Sequence, residues 1–195
     1  LTPRASGARL PPRSASMPGQ LTQCGGQGKE GHINFQSNNG QVSANCHKFM
    51  FKGLNWYGAE GWMGVLEGLK ENSMDFYFEF MEANNFNSVR ILVNHQSILR
   101  NKPIGDEHVD LVKNPELEGK TYISMLNTIA KAAAERNILV LIAVHRLDPE
   151  AWPGNGLWYD SKTTEQRVLV SWSKLATALC WHWNVVAVDL HNEPH

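Results

Sequence analysis

Ile138, Leu139, Val140, Leu141, Ile142, Ala143 and Val144 form an unbroken apolar run. A strand with one wet face alternates polar and apolar residues. An uninterrupted apolar strand must therefore be covered on both faces, as in a parallel sheet flanked by helices. The neighbouring sequence supplies the cover. Before the run, Tyr122, Met125, Leu126, Ile129, Ala130 and Ala133 recur at helical spacing, and Asn137 is placed to end that helix. After it, Thr163 with Gln166 makes a capping-box signal, and Val168, Trp172, Leu175, Ala176 and Leu179 trace the next buried stripe.

The same alternation extends on either side. Residues 51–56 and 86–93 read as strands, separated by a helix that Asn72 or Ser73 would cap, with Phe76, Phe80 and Met81 on one face. Residues 184–190 close as a fourth strand. Strand and helix in strict alternation predict an α/β fold with parallel strands. Residues 1–33 differ: rich in Pro, Gly and Ser, they are expected to be a flexible lead-in, with 34–195 as the folded part.

Composition removes several function classes. A chain of 195 residues, 42% hydrophobic and 19% charged with a net charge of -1, fits one soluble domain. Its Lys and Arg residues are scattered, without the basic, aromatic-interleaved patch of a nucleic-acid binder. The longest apolar run falls far short of the ~20 residues that span a bilayer, so no membrane role is expected. Cys24, Cys46 and Cys180 are too dispersed for a zinc-type pair. Their odd number suits free thiols in a reducing compartment, and equally a secreted chain whose other cysteines lie elsewhere.

On this scaffold Arg90, His145 and the pair Asn192-Glu193 each fall at or just past the C-terminal end of a strand, where barrel enzymes keep their chemistry. Charge at a buried strand end must be paired or neutralised, and three such places are more than a core needs. Pro194 fixes the chain after Glu193, so a rigid, shielded carboxyl with a raised pKa is expected there, suited to protonating a leaving oxygen and then activating water. Asn192 could hold a sugar 2-hydroxyl. His191, Glu193 and His195 alternate, but a metal site also needs a supporting shell that nothing here indicates, and no metal is expected.

The segment Asp189-Leu190-His191-Asn192-Glu193-Pro194-His195 resembles the fourth-strand signature of glycoside hydrolase family 5, especially its cellulases. Asn55-Trp56-Tyr57-Gly58-Ala59-Glu60 is similar to that family's first-strand motif, Asn87-Ser88-Val89-Arg90 to the second, His145 to the third-strand histidine, and Gly156-Leu157-Trp158-Tyr159 to the loop that follows. The resemblance covers roughly residues 40–195 and implies the first four βα units of a TIM (β/α)8 barrel. It implies Glu193 as general acid/base, Asn192 as a substrate-holding residue, and Arg90 and His145 as an orienting network. No cofactor is implied. The family's nucleophile is a second glutamate at a seventh strand, so a chain ending after the fourth is expected to be a fragment, inactive alone. Such an end would also leave sheet edges open to aggregation or dimerisation.

Two positions depart from the family pattern: Leu92 stands where a proline is common, and Ala143 where an aspartate is common. Altered packing or subsites are expected there. Among seven tryptophans, Trp56 and Trp158 are candidate sugar platforms, Trp172, Trp181 and Trp183 read as structural, and Trp62 and Trp152 lie in loops without a role. The resemblance implies a secreted, retaining endo-β-1,4-glucanase, monomeric when complete, acting on a β-glucan polysaccharide. Mannan, xyloglucan or β-1,3-glucan are alternative substrates, and a noncatalytic carbohydrate-binding remnant is the alternative outside enzymes.

Overall fold

The structure is a computed structural model that describes residues 33–150 and 156–194. The expected lead-in falls almost wholly on residues 1–32, outside the described residues, as does Trp152.

Four strands, β4 (Gly53–Trp56), β5 (Ser88–Asn94), β6 (Leu139–Arg146) and β7 (Val185–Asp189), form one parallel sheet in the order β4-β5-β6-β7. Order in space follows order in sequence, with no switch point. Right-handed crossovers then put every connecting helix on the same side of the sheet, which curves a sheet toward a barrel. Val89, Ile91 and Val93 of β5 and Val140, Ile142 and Val144 of β6 join the core shared with helices α1 (Met74–Ala83), α3 (Tyr122–Glu135) and α4 (Glu165–Leu179). The alternate residues, Arg90 and Leu141 among them, face a concavity of about 410 Å³ on the other side. A short helix, α2 (His95–Arg100), leads directly out of β5.

Helix ends are set as local chemistry dictates. Ser73 caps α1 by accepting from the Phe76 N–H at 3.1 Å, and Thr121 with Ser124 closes a reciprocal box at the start of α3. Asn137 ends α3 as expected. It takes the left-handed conformation at φ 57°, and the Ile138 N–H reaches back to the Ala133 carbonyl at 2.9 Å. Asn85 ends α1 in the same way, with Phe86 N–H to Met81 O at 2.8 Å. Both turns hand an apolar residue to the strand that follows.

Three expectations need correction. The buried stripe of α1 is Met74, Phe78 and Met81, whereas Phe76 and Phe80 are exposed. Aromatic residues at 76, 77, 78 and 80 surround this helix, so apolar pattern alone does not choose its face. Thr163 is not a cap: Thr164 occupies that position without a side-chain bond, while the buried Thr163 hydroxyl accepts from Gln96 at 3.3 Å. Ala176 is exposed, and Ser171 takes the place among the buried residues of α4.

An antiparallel meander precedes the parallel sheet: β1 (Phe35–Asn38), β2 (Gln41–Ala44) and β3 (His47–Phe49). Its two turns, Asn39-Gly40 and Asn45-Cys46, each place both residues at positive φ, as two-residue hairpins of this hand require. Ala44 and Phe49 pack on Leu139, with Phe35, Trp183 and Val186 around them. The meander therefore seals the N-terminal ends of β6 and β7, opposite the rim that carries the candidate chemistry. Cys46 is disulfide-bonded and Cys180 is an exposed free thiol. No helix among the described residues is long and apolar enough to cross a membrane.

Candidate active site

Strand register brings the polar residues together. Asn55 of β4 pairs with Arg90 of β5, so both point to the inner face at the same height. The Arg90 guanidinium then spans the sheet. It donates to Asn55 Oδ1 at 3.2 Å, to Asp189 Oδ2 at 2.6 Å and to Asn192 Oδ1 at 3.0 Å. The second of these is a charge-assisted bond, short and strong for its type. The Asn192 backbone N–H also donates to the Val144 carbonyl at 2.9 Å. Asn192 is thus held by its main chain and by its side-chain oxygen, which turns its amide NH₂ away from Arg90.

His145 lies at the end of β6 on the same face, half-buried. Burial lowers its pKa below the usual imidazole value; the Glu60 carboxylate opposes that, Arg146 and Arg90 reinforce it, and Glu193 opposes it in turn. His145 is therefore neutral at pH 7 and acts as a hydrogen-bonding group, not as a fixed charge.

Glu193 follows Asn192 in the chain, but the expected shielding is absent: the residue is exposed. It sits past the end of β7 with φ 46°, a left-handed conformation uncommon for a glutamate. Trp56 is also corrected. Period two along β4 puts Asn55 and Trp56 on opposite faces, so the indole is 5% exposed and packs on Tyr77 and Phe78 with its N–H on the Glu67 carbonyl at 2.9 Å. It is core and cannot present a face to a sugar. Trp158, in the loop after β6, is 42% exposed and meets Tyr159 edge to face.

Three site residues had no role assigned from sequence. Asp189 and Asn55 complete the Arg90 cluster, and the signal for both was their place in strand-end motifs. Asp189 also lies in register with Ala143, one of the two departures from the family pattern. Glu60 is 6% exposed and its carboxylate accepts from the Gly58 N–H at 2.7 Å. A buried carboxylate in a loop needs such a donor, and a glycine two residues before it was the available sign. Among the described residues no group of three His, Cys, Asp or Glu is arranged to hold a metal ion.

The chain is similar in sequence and in fold to known proteins. Residues 42–195 match the model of the cellulase family, glycosyl hydrolase family 5. An endoglucanase of Paenibacillus polymyxa is 33% identical over 149 residues, which is 74% of this chain and 36% of the relative. The major extracellular endoglucanase of Xanthomonas campestris pv. campestris is 28% identical over 144 residues, 74% of this chain and 29% of that protein. Among solved structures, the endocellulase of Pyrococcus horikoshii in complex with cellotetraose superposes with a TM-score of 0.74 at 26% identity, covering 84% of this chain and 44% of the other. The catalytic domain of the Xanthomonas enzyme gives 0.74 at 26%, covering 83% and 46%. The chain thus spans about a third of the length of the relatives it matches and under half of the solved chains. Its four parallel units have the fold of part of a (β/α)8 barrel, and the chain belongs to the cellulase family, glycosyl hydrolase family 5.

Proposed function

We propose that this chain supplies the acid/base side of a retaining endo-β-1,4-glucanase. Glu193 protonates the glycosidic oxygen and then activates water, and the Asn192 amide holds the 2-hydroxyl beside it. Arg90 and neutral His145 keep these two residues in place, and Trp158 offers a sugar-facing ring. The observation that carries this reading is the Arg90 clamp on Asn192, which fixes the residue next to Glu193 from two directions. The substrate class is supported by the relatives, two of them named as endoglucanases and one solved with cellotetraose.

Retention of configuration needs two carboxyl groups about 5 Å apart across the scissile bond. In this proposal the second comes from outside residues 1–195, so this segment alone turns over no substrate. Action outside the cell fits the disulfide at Cys46 and the extracellular Xanthomonas relative. The test is hydrolysis of a soluble cellulose derivative by the protein expressed from its whole gene. Reducing sugar should be released, and Glu193→Gln should lower the rate by about 10²–10⁴-fold. Turnover that survives Glu193→Gln, or that residues 1–195 achieve alone, would overturn the assignment.

A further inference from the structure

Two loops on the catalytic rim, 57–73 after β4 and 101–121 after α2, are stitched into one rigid unit. Asn114 is fully buried, and its amide donates to the carbonyls of Leu69 at 3.0 Å, Asn72 at 3.2 Å and Asp110 at 3.2 Å while its oxygen accepts from the Met74 N–H at 2.6 Å. The Asp110 N–H adds a bond to the Leu69 carbonyl at 3.0 Å. On top of this unit stands Trp62, 72% exposed. Its ring is braced edge to face by His108, with centroids 5.0 Å apart and planes at 88°. The His108 side chain is itself only 19% exposed and lies 3.4 Å from the Glu107 carboxylate. His108 also lines a cavity of about 150 Å³, together with Glu67, Lys70, Glu71 and Glu107.

A large apolar ring held out in water is costly unless something covers it, and here it is held still. The indole stays largely exposed despite this contact, next to a pocket with carboxylates and an ammonium that can take hydroxyl groups. A hexose in the β-linked pyranose form has this dual character, with C–H groups on its faces and hydroxyls around its edge. We propose that Trp62, braced by His108, is an outlying subsite for one sugar unit of a β-glucan chain, with Glu107 and Lys70 taking its hydroxyls. Trp181, 88% exposed, makes the contrast. Its N–H is turned back on the Thr177 carbonyl at 3.2 Å, and it follows α4 toward the start of β7, away from the rim.

This proposal rests on the β-glucan reading of the rim, and one set of titrations separates the two. Cellohexaose is titrated by calorimetry into the protein expressed from its whole gene, carrying Glu193→Gln throughout to suppress turnover, with positions 62 and 192 wild type or with Trp62→Ala, Trp62→Phe or Asn192→Ala, and circular dichroism confirms that each is folded. The expected result is binding about tenfold weaker in Trp62→Ala and largely restored in Trp62→Phe, the size of one lost ring contact. Unchanged affinity in Trp62→Ala with weakened binding in Asn192→Ala would overturn the platform and leave the functional reading standing. Weakening in Trp62→Ala alone would support the platform and count against the Asn192 site. No cellohexaose binding with both positions wild type would sink both.

Discussion

A guanidinium is a rigid fork of donors, and Arg90 uses it to hold Asn55, Asp189 and Asn192 at once. Lysine is a single point charge and cannot reproduce this. Arg90→Lys should cost about 1–3 kcal/mol in urea unfolding and, on the proposed function, lower hydrolysis of a soluble cellulose derivative by the protein expressed from its whole gene; wild-type values for both would remove Arg90 from its central place. His95 carries a second test. It is fully buried, bonded to the Ser171 hydroxyl at 2.9 Å, and burial with the nearby His191 lowers its pKa to about 4. Between pH 6.5 and about 4 the unfolded chain binds this proton more readily than the folded one, so stability falls on acidification through that window and levels off below it. The loss should be of the order of 3 kcal/mol. In His95→Gln, which cannot titrate, the urea midpoint should change less across this window. The placement of Arg90, His145 and Asn192 at one rim was legible in the sequence because charge and amide at a strand end stand out. Asp189 and Asn55 were not, since their roles depend on which strands become neighbours, and Trp56 was misplaced because its face depends on the phase of a four-residue strand.

Elements end here where backbone chemistry says they must. Asn137 and Asn85 accept the left-handed conformation that closes α3 and α1. Asn137→Ala should therefore destabilise the protein by about 1 kcal/mol, while Asn137→Gly should be neutral or slightly stabilising. Equal thermal midpoints for alanine and glycine would contradict this. The order of the four parallel strands and of α1, α3 and α4 was readable from periodicity, because buried parallel strands and amphipathic helices leave strong patterns, whereas the six-residue α2 was missed. The faces of α1 and the cap of α4 were not. An aromatic-rich helix has no unique apolar stripe, and Thr163 is taken up by Gln96 across the fold, a contact with no local trace. The meander was missed although Asn39-Gly40 between short alternating segments was the sign of a hairpin.

At the scale of the molecule, β4 and β7 each have a strand on one side only among the described residues, and the inner face between them is a concavity lined by Leu139, Leu141 and Ala187. Unpaired edges beside apolar surface recruit partners. Residues 1–195 expressed alone should self-associate with rising concentration in sedimentation velocity; a monomer throughout would show that these edges are inert.

The floor of the barrel has its own consequence. Phe35, Phe49 and Phe51 meet ring to ring, and Phe49 comes to rest on Leu139. Ribosomes deliver these phenylalanines first, and at about 5–20 residues per second Leu139 arrives roughly 4–18 seconds afterwards. Throughout that interval the nascent polypeptide trails a naked aromatic knot, the sort of bait that chaperones bind.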